Sequence, residues 1–375
     1  MTNKNTIYFI RTRDKHPVVA QIRNYLHDAF PQFKLEEIHV ITLLKTKPWL
    51  IFLNIFYVWR LYGFSSFRYG KDSLYNKFFG TPFIFHAIAK LIAKTVPKYK
   101  TEFTFQDGSL INGKCQGIPH FVYTDHTVKL NAEYPRFNQK KDMLAPEWLQ
   151  LERRIYSDAE LVFTRSENAK RSVVEHYGID QDRVQNIYYA PYRNEADIET
   201  GMDRQDNLIL VVATQWQLKG GPDLEKAFTI VKKDFPDAMM IVAGCSPGTG
   251  IEGIEEKGKV DRKIMDQLYK TASFFCLPTQ GEPFGISFIE AMRYSLPLIG
   301  TNVGAVPECI EHESNGFLVD PGDVADLANR MRLLLGNKSM RQNMGQRSLE
   351  IYKHKFSYDI LVRKLKDAIE SKTGS

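Results

Sequence analysis

The sequence predicts an α/β protein built from two doubly wound domains. A chain of 375 residues is too long for one ordinary core. Strand and helix patterns alternate through the first half, stop at a polar stretch over 194–207, and begin again at Leu208. The run Leu208–Val212 is continuously apolar, which is typical of a parallel strand buried on both faces. We therefore expect two domains of the same class, joined by a linker.

The first half predicts a domain over residues 1–195. Apolar runs predict strands at Thr6–Ile10, Lys34–Ile41, Thr101–Phe105, Pro119–Tyr123 and Ala159–Thr164. Helical periodicity predicts helices at Pro17–Phe30, Asp142–Ser157 and Glu167–Tyr177. Residues 45–100 differ from the rest, because they are aromatic, basic and mostly helical in pattern.

The second half predicts a domain over residues 205–356. Its strand patterns are Leu208–Val212, Met239–Ala243, Ser273–Leu277, Pro297–Gly300 and Gly316–Val319. Its helix patterns are Asp223–Phe235, Lys263–Ala272, a helix containing Glu290, Val324–Leu335, Ser339–Tyr352 and Tyr358–Ser371.

The composition and charge exclude several classes of protein. A chain that is 43% hydrophobic and 25% charged is typical of a folded protein. The net charge of +6 fits a phosphorylated ligand or an anionic membrane surface, and no zinc-finger or aromatic RNA-binding signature points to nucleic acid. The four cysteines are widely scattered, which favours reduced, buried residues over a metal site or disulfides. The polar start and the short apolar run Trp49–Trp59 lead us to expect a cytoplasmic protein.

Residues 281–292 carry the most chemical information, because they place two carboxylates eight residues apart. Glu282 lies in a loop after the strand that ends at Leu277, and Glu290 lies in the helix that follows. Carboxylates accept hydrogen bonds from vicinal hydroxyls, and the amides at a helix start bind anions. Lys219 and Gly244 also directly follow strands, so we expect them at the same sheet edge, in the cleft between the domains. This pattern predicts a ligand with hydroxyls at both ends and phosphate between them, as in a nucleotide sugar.

Four blocks of the second half, in this order, resemble the family 4 retaining glycosyltransferases, or glycosyl transferases group 1. The blocks are 212–221, 242–244, 277–292, and 304–308 with 316–319. Two glutamates at this spacing occur by chance in many proteins, but beside Pro283-Phe284-Gly285 and the later glycine blocks they are specific. The resemblance implies the GT-B fold, with two Rossmann-like domains facing each other across a cleft. It also implies that the last helix, 357–375, crosses back onto the first domain.

The resemblance also implies a role for each matching residue. Glu290 would hold the ribose hydroxyls of the nucleotide, Glu282 would contact hydroxyls of the transferred sugar, and Lys219 would neutralise the diphosphate. The remaining implied donor contacts are Gly244, Val260 near the base, and the backbone amides of Phe284, Gly285 and Ile286 facing the distal phosphate and the sugar. Taken singly, Glu290 and Lys219 would be ordinary surface charges, and only their ordered context favours function.

His126 follows the predicted strand Pro119–Tyr123, where this family carries a histidine beside the reacting sugar carbon. The resemblance implies that His126 hydrogen-bonds a sugar hydroxyl or the acceptor, with Asp125 orienting it. The alternative is a histidine that caps the strand end. With Glu282, these two residues are the catalytic candidates, whereas His120 within the strand is expected to be structural.

Two departures from the family pattern concern the diphosphate. Many relatives carry an arginine five residues before the lysine, and this chain has Thr214 there. The glycine-rich loop that often follows the first strand is replaced by residues 11–16. We expect Arg11 or Arg13 to restore the missing charge, since arginine clamps phosphate well. Reduced or absent catalysis is the alternative.

Residues 45–100 are expected to lie on the acceptor side, because the first domain of this fold usually binds the acceptor. Helices of this kind can lie in a membrane interface, with the apolar face down and cations on lipid phosphate. The alternative is that the aromatic residues fill the core of the first domain, and the sequence leaves both open. The aromatic residues concerned are Trp49, Phe52, Phe56, Tyr57, Trp59, Phe64 and Phe67, followed by Phe78, Phe79, Phe83 and Phe85.

The sequence thus predicts a metal-independent, retaining hexosyltransferase that needs no cofactor. The expected donor is a nucleoside diphosphate sugar, and the expected acceptor is a glycan or lipid-linked molecule of cell-surface polysaccharide or glycoconjugate synthesis. An anionic membrane surface is a further expected partner, which would place the protein peripherally on the inner face of the membrane. Two alternatives remain, namely a nucleotide-sugar isomerase or epimerase of the same fold and a non-catalytic nucleotide-sugar binder.

Overall fold

The chain divides into two compact units. A computed structural model describes residues 5–13, 17–64, 68, 70–134, 137–142, 144–191 and 204–374. The first unit comprises Met1–Glu133, Phe137–Tyr188 and Leu361–Ser375, and the second comprises Tyr134–Arg136 and Tyr189–Ile360. Most of the linker predicted over 194–207 lies outside the described residues.

The first unit is built on a six-stranded parallel sheet. Its strands are β1 (Thr6–Arg11), β2 (Lys34–His39), β3 (Thr101–Asp107), β4 (His120–Thr124), β5 (Leu161–Thr164) and β6 (Val184–Asn186). They lie in the order β2-β1-β3-β4-β5-β6, and every neighbouring pair is parallel. The central strands are buried on both faces, and Phe105 on β3 packs near the ring of Phe9 on the neighbouring β1 and that of Phe163 on β5.

Helices connect these strands and cover the sheet. They are α1 (Pro17–Ala29), α2 (Val40–Lys45), α3 (Pro48–Tyr62), α4 (Lys71–Phe79), α5 (Pro82–Thr95), α6 (Val128–Asn131), α7 (Gln139–Asp142), α8 (Pro146–Asp158) and α9 (Glu167–Tyr177). Several of these helices begin with an N-cap side chain. The Thr81 hydroxyl accepts from the Ile84 amide, and the Ser166 hydroxyl accepts from the Ala169 amide. The helix α9 ends at Tyr177, and the next residue, Gly178, has a left-handed φ of 64°.

The second unit is built on a second six-stranded parallel sheet. Its strands are β7 (Leu208–Val212), β8 (Met239–Ala243), β9 (Ile254–Gly258), β10 (Phe274–Leu277), β11 (Leu298–Thr301) and β12 (Gly316–Val319), in the order β12-β11-β10-β7-β8-β9. The helices are α10 (Gly221–Val231), α11 (Arg262–Thr271), α12 (Ile286–Arg293), α13 (Val306–Cys309), α14 (Val324–Gly336), α15 (Lys338–Ile351) and α16 (Tyr358–Thr373). The first three residues of α16 belong to this unit and the rest to the first unit.

The prediction of two parallel α/β domains is confirmed, with a few local differences. The second strand ends at His39 rather than Ile41, because Val40 begins the helix α2. Two edge strands, β6 and β9, were not predicted. Within the described ranges, no helix is both long enough and apolar enough to cross a membrane.

Candidate functional site

The loops that follow the strands of the second sheet carry the residues predicted to bind the donor. In a parallel sheet all carboxyl ends lie at one edge, and ligands bind there. The loop after β7 holds Thr214 and Lys219, the loop after β10 holds Glu282, and Gly244 and Val260 follow β8 and β9. The topology therefore places these predicted residues on one edge of the second unit.

Lys219 and Glu282 form an ion pair at this edge. Lys219 Nζ donates to Glu282 Oε2 at 2.6 Å, and the Gly285 amide donates to Glu282 Oε1 at 3.1 Å. The Glu282 side chain is 9% exposed and that of Lys219 is 23% exposed, so the pair is only partly shielded from water. Both carboxylate oxygens of Glu282 are thus engaged in holding a cation and the start of α12.

Glycines make this close arrangement of loops sterically accessible. A Cβ on Gly220 would lie 1.9 Å from the Pro278 carbonyl oxygen, so the loops after β7 and β10 meet backbone to backbone. Gly304 sits in the same relation to Glu282, where a Cβ would lie 2.2 Å from the carbonyl oxygen. Both glycines also have positive φ, 77° and 57°, which other residues rarely adopt. The backbone around Glu282 therefore depends on two positions, 220 and 304, where only glycine fits.

Glu290, on α12, is held by two residues of α11. Arg262 Nη1 donates to its Oε1 at 2.5 Å, and the Tyr269 hydroxyl donates to its Oε2 at 3.1 Å. Arg262 also contacts Asp266, with 2.8 Å between Nε and Oδ1. Tyr269 is buried and stacks on Tyr294 with ring centroids 5.4 Å apart; burial first, and then the charge of Glu290, raise its pKa well above the ordinary value. The Glu290 carboxylate, which was predicted to bind the ribose hydroxyls, is therefore held in place by two hydrogen bonds.

The other predicted donor residues lie in the loops at this edge of the second sheet and at the start of α12. The Gly244 amide donates to the Gly258 carbonyl at 2.7 Å, and a Cβ on Gly244 would lie 2.5 Å from the Ala213 carbonyl oxygen. Val260 is partly exposed directly before Asp261, which caps α11. Phe284 is partly exposed, with its ring 5.6 Å from that of Tyr189, Ile286 begins α12, and Thr214 is exposed. The Gly285 amide was predicted to face the distal phosphate and the sugar. In the structure this amide donates to Glu282 instead.

A second cluster lies at the carboxyl edge of the first sheet. Asp125 and His126 follow β4, and Arg165 follows β5. Arg165 is 4% exposed, bonds to Asp107 at the end of β3, and lies 3.5 Å from Asp125 Oδ2. Burial raises the pKa of Asp107 and would raise that of Asp125, but Arg165, His126 and Arg13 lower the pKa of Asp125 below its usual range. Asp125 is thus held ionised beside His126.

The segment that carries Asp125 and His126 rests on a buried glutamate. Glu152 on α8 is fully buried and accepts hydrogen bonds from the Val128 amide at 3.2 and 3.3 Å to its two oxygens. It also accepts from the hydroxyls of Ser109 at 2.9 Å, Tyr156 at 3.0 Å, and Tyr177. Burial nevertheless raises its pKa to about 7. The start of α6, two residues after His126, is therefore anchored by a carboxyl group that titrates near neutrality.

The two arginines expected to replace the missing diphosphate contact lie in different surroundings. Arg11, at the end of β1, donates to Glu37 Oε2 at 2.7 Å and to the Arg13 carbonyl at 2.7 Å. Arg13 is exposed, and its charge acts on Asp107 and Asp125. Residues 14–16 of the same loop lie outside the described residues. His120, expected to be structural, is fully buried with its Nδ1 2.8 Å from Thr104 Oγ1.

Four residues of these clusters were not predicted from the sequence. Asp107 and Arg165 end or follow strands of the first sheet, so the strand-end rule that selected Lys219 and Gly244 could have found them. Arg262 and Tyr269 gave no signal, since only the packing of α11 beside α12 brings them to Glu290. Among the described residues, no group of three or more His, Cys, Asp or Glu side chains could hold a metal ion.

Residues 193–350 match the family model of glycosyl transferases group 1. This segment is thus similar to the group 1 glycosyltransferases. The family resemblance of the four sequence blocks is therefore confirmed. The matched segment contains the Lys219–Glu282 pair and the supported Glu290.

Curated proteins are similar to this chain over only part of their length. The chain is 25% identical over 185 residues to the N-acetyl-alpha-D-glucosaminyl L-malate synthase of Bacillus anthracis, covering 47% of this chain and 48% of that protein. It is 24% identical over 279 residues to the D-inositol 3-phosphate glycosyltransferase of Corynebacterium kroppenstedtii, covering 66% and 61%. The chain thus spans about half to three-fifths of the relatives it matches.

Solved structures share the fold over nearly the whole chain. One is the Anabaena protein Alr3699/HepE in complex with UDP, with a TM-score of 0.67 and 15% identity over 98% of this chain and all (100%) of that chain. Another is the sucrose-phosphate synthase of Thermosynechococcus elongatus, with a TM-score of 0.65 and 14% identity over 99% of both chains. These likenesses confirm the GT-B class of fold.

Proposed function

We propose that the chain is a retaining glycosyltransferase that moves a hexose-type sugar from a nucleoside diphosphate sugar to a glycan or lipid-linked acceptor. The observation that carries this proposal is the arrangement of Lys219, Glu282 and the Gly285 amide at the start of α12, with Glu290 one to two turns further along. It offers a cation, the start of a helix and two carboxylates along one sheet edge. Those groups match a ligand with hydroxyls at both ends and phosphate between them.

Lys219 would stabilise the leaving group. Departure of a nucleoside diphosphate leaves negative charge on the phosphates while positive charge develops at the anomeric carbon. The Lys219 ammonium lies 2.6 Å from Glu282, so a partly buried cation is already placed beside the group that would contact the sugar. This cation supports a metal-independent reaction, with Thr214 in place of a second positive charge from the same loop.

Glu282 is better suited to binding than to nucleophilic attack. One of its oxygens accepts from Lys219 and the other from the Gly285 amide, and both contacts reduce the nucleophilicity of a carboxylate. A retaining mechanism with Glu282 as nucleophile is therefore disfavoured. We propose attack from the same face as the leaving group, with the departing phosphate accepting the proton of the acceptor hydroxyl.

Glu290 would bind the ribose, supported by Arg262 and Tyr269. UDP-sugars are the first donors to test, since the similar Anabaena structure is a complex with UDP. On the first unit, we propose that His126 and Asp125 contact the sugar or the acceptor, and that Arg11 or Arg13 contacts the diphosphate. We also propose domain boundaries of 1–195 and 205–356. The protein would lie peripherally at the inner face of the membrane.

Binding and turnover test this function separately. Binding of UDP and of UDP-sugars is measured by the rise in melting temperature, because only ligands that prefer the folded state raise it. Turnover is measured as UDP release and sugar transfer, with the anomeric configuration of the product read by NMR. Lys219→Ala is expected to lower kcat about 100- to 1,000-fold, as removal of a single transition-state donor does elsewhere.

Lys233→Ala is the matched control, because Lys233 is an exposed lysine of the same unit. It should leave kcat unchanged. Full activity of Lys219→Ala, or an inverted product, would contradict the mechanism. Conversion of the donor sugar with no acceptor and no UDP release would instead indicate an isomerase or epimerase. Binding of UDP-sugar without turnover of any acceptor would indicate a non-catalytic binder.

A further inference from the structure

The helix α3 presents most of its aromatic side chains to solvent instead of to the core, and the exception is Tyr62, whose hydroxyl donates to the Gly80 carbonyl at 2.7 Å. Trp49 is 55% exposed, Phe52 73%, Phe56 51% and Trp59 49%, and Phe64 just beyond the helix is 71% exposed. Leu53, Ile55, Tyr57 and Leu61 are also exposed. A surface helix normally shows charged or polar residues on its outer face. Here Arg60 is the one charged residue between Pro48 and Tyr62.

The buried side of α3 has its own partners and leaves no room for these aromatic residues. Leu50, Asn54 and Val58 recur at four-residue spacing and face the first unit. The Asn54 amide donates to the Phe78 carbonyl at 2.7 Å, and Thr81 donates to the Asn54 side-chain oxygen. A polar contact thus anchors the inner face, while the outer face is apolar. Within residues 45–100, the aromatic side chains that are buried in the core, Phe79 and Phe85, lie on the helices α4 and α5.

The sequence left open whether the aromatic residues of 45–100 fill the core or face a membrane. In the structure some of them are buried and others are exposed. Phe79 and Phe85 are buried in the core of the first unit, together with Ile84. Trp49, Phe52, Phe56, Trp59 and Phe64 are exposed instead, and Phe67 lies outside the described residues. Several large apolar side chains are exposed together on this helix, and the rings of Phe56 and Trp59 lie 5.7 Å apart. Exposed apolar patches on soluble proteins mark interaction sites.

The charges around this patch select its partner. Residues 40–100 contain ten lysines and arginines and a single acidic residue, Asp72. Lys45 and Lys47 are exposed just before α3. On α5, Lys90 and Lys94 are exposed and lie on the same helical face as Phe83, whose ring stacks on Tyr57 of α3 at 4.7 Å. Lys77 is an exception, because it is buried beside the Tyr62 ring.

We propose that α3 is a docking helix that lies in the interface of an anionic lipid bilayer. Its tryptophan and phenylalanine side chains enter the region between headgroups and acyl chains, and the lysines of α5 and of the segment before α3 contact lipid phosphate. Aromatic rings and lysines suit this boundary because each has an apolar body, while tryptophan and lysine also carry a polar end. Docking would bring the first unit to a lipid-linked acceptor, and this last consequence rests on the proposed function.

Vesicle binding by the full-length chain tests the proposal without any sugar nucleotide. Flotation with phosphatidylcholine vesicles containing 0 to about 40% phosphatidylglycerol should show binding that rises with anionic lipid and falls with salt. Tryptophan emission should shift to the blue, since Trp49 and Trp59 are exposed whereas Trp148 and Trp216 are already buried. Trp49→Phe with Trp59→Phe should abolish the shift.

The paired substitution of Phe52→Ser and Phe56→Ser should lower the vesicle partition coefficient about tenfold or more, because two exposed rings no longer leave water on binding. Lys90→Glu with Lys94→Glu should remove the preference for phosphatidylglycerol. Leu333→Ser is the control, because Leu333 is 44% exposed on α14 of the second unit, and it should leave partitioning unchanged.

Two results would overturn the proposal. One is equal partitioning of the wild type and the α3 variants. The other is a wild-type dimer without vesicle binding that the α3 variants convert to a monomer, since the patch would then contact a second copy of the chain. The shift in melting temperature with UDP, measured on the same variants, separates this result from the proposed function. UDP should still stabilise every α3 variant, and loss of vesicle binding with UDP stabilisation retained concerns docking alone.

Discussion

Glu152 should make the stability of the protein depend on pH near neutrality. This carboxyl group on α8 is fully buried, and burial raises its pKa from an ordinary value of 4.5 to about 7 despite four hydrogen-bond donors. The folded chain therefore holds the proton more tightly than the unfolded chain. The stability that this group contributes is complete below pH 4.5 and is lost as the pH rises through 7.

The difference between the two pKa values gives the size of the effect. A pKa difference of one corresponds to about 1.4 kcal/mol, so the shift from 4.5 to about 7 corresponds to about 3 kcal/mol. Glu152→Gln keeps the shape of the side chain but cannot titrate. The free energy of unfolding of the wild type should therefore fall relative to that of Glu152→Gln by about 3 kcal/mol between pH 4.5 and 8.5.

Urea denaturation at a series of pH values measures this difference. Unfolding is followed by circular dichroism and by tryptophan emission, to which Trp148 contributes from a buried position one turn before Glu152 on α8. Other titrating groups cancel in the comparison, because they are the same in both proteins. Glu147→Gln is the matched control, since Glu147 lies exposed on the same helix and should give a curve parallel to that of the wild type.

Parallel curves for the wild type and Glu152→Gln across this pH range would refute the reasoning. That result would mean that the four donors to Glu152 compensate its burial completely. A relative gain of wild-type stability with rising pH would reverse the sign and indicate a carboxylate that prefers to be ionised in the folded chain.

Two further predictions concern the second unit. Gly304→Ala should abolish turnover, because its Cβ would lie 2.2 Å from the Glu282 carbonyl oxygen, whereas Gly322→Ala, with φ of 84° and nothing within 4 Å, should lower stability by about 1–2 kcal/mol and preserve kcat. Equal kinetics of the two variants, measured by UDP release, would contradict the role of Gly304. Tyr269→Phe removes a 3.1 Å hydrogen bond to Glu290 and should raise the donor KM about tenfold with little change in kcat. A fall in kcat at constant KM would instead place Glu290 near the reacting atoms.

Much of the fold could be predicted because the buried strands carry their own signal. The strands β7 and β8 lie where their apolar runs predicted them, at Leu208–Val212 and Met239–Ala243. The strands β6 and β9 were missed for a physical reason. Both lie at the edge of a sheet, where one side of the strand is unpaired and burial is incomplete. Their sequences therefore lack the continuous apolar pattern of a central strand.

Only those residues of the candidate site that follow predicted strands or lie in a sequence motif could be predicted from the sequence. Strand ends selected Lys219 and Glu282, and the structure confirms that these two side chains meet. The support of Glu290 by Arg262 could not be predicted, since it depends on how α11 and α12 pack side by side. The contact between Arg165 and Asp107 depends in the same way on the order of strands in the first sheet.

The sequence by itself determined the class of fold, the family that the second half resembles and the residues on the edge of its sheet. Each of these depends on local periodicity or on a motif whose residues are close in the chain. Only the tertiary structure decided which carboxylates are supported, and which aromatic side chains of residues 45–100 are buried. Phe79 and Phe52 are alike in type, yet one is 2% exposed and the other 73%. Burial depends on which face of a helix meets the rest of the unit, and this is a property of the packed chain rather than of any one residue.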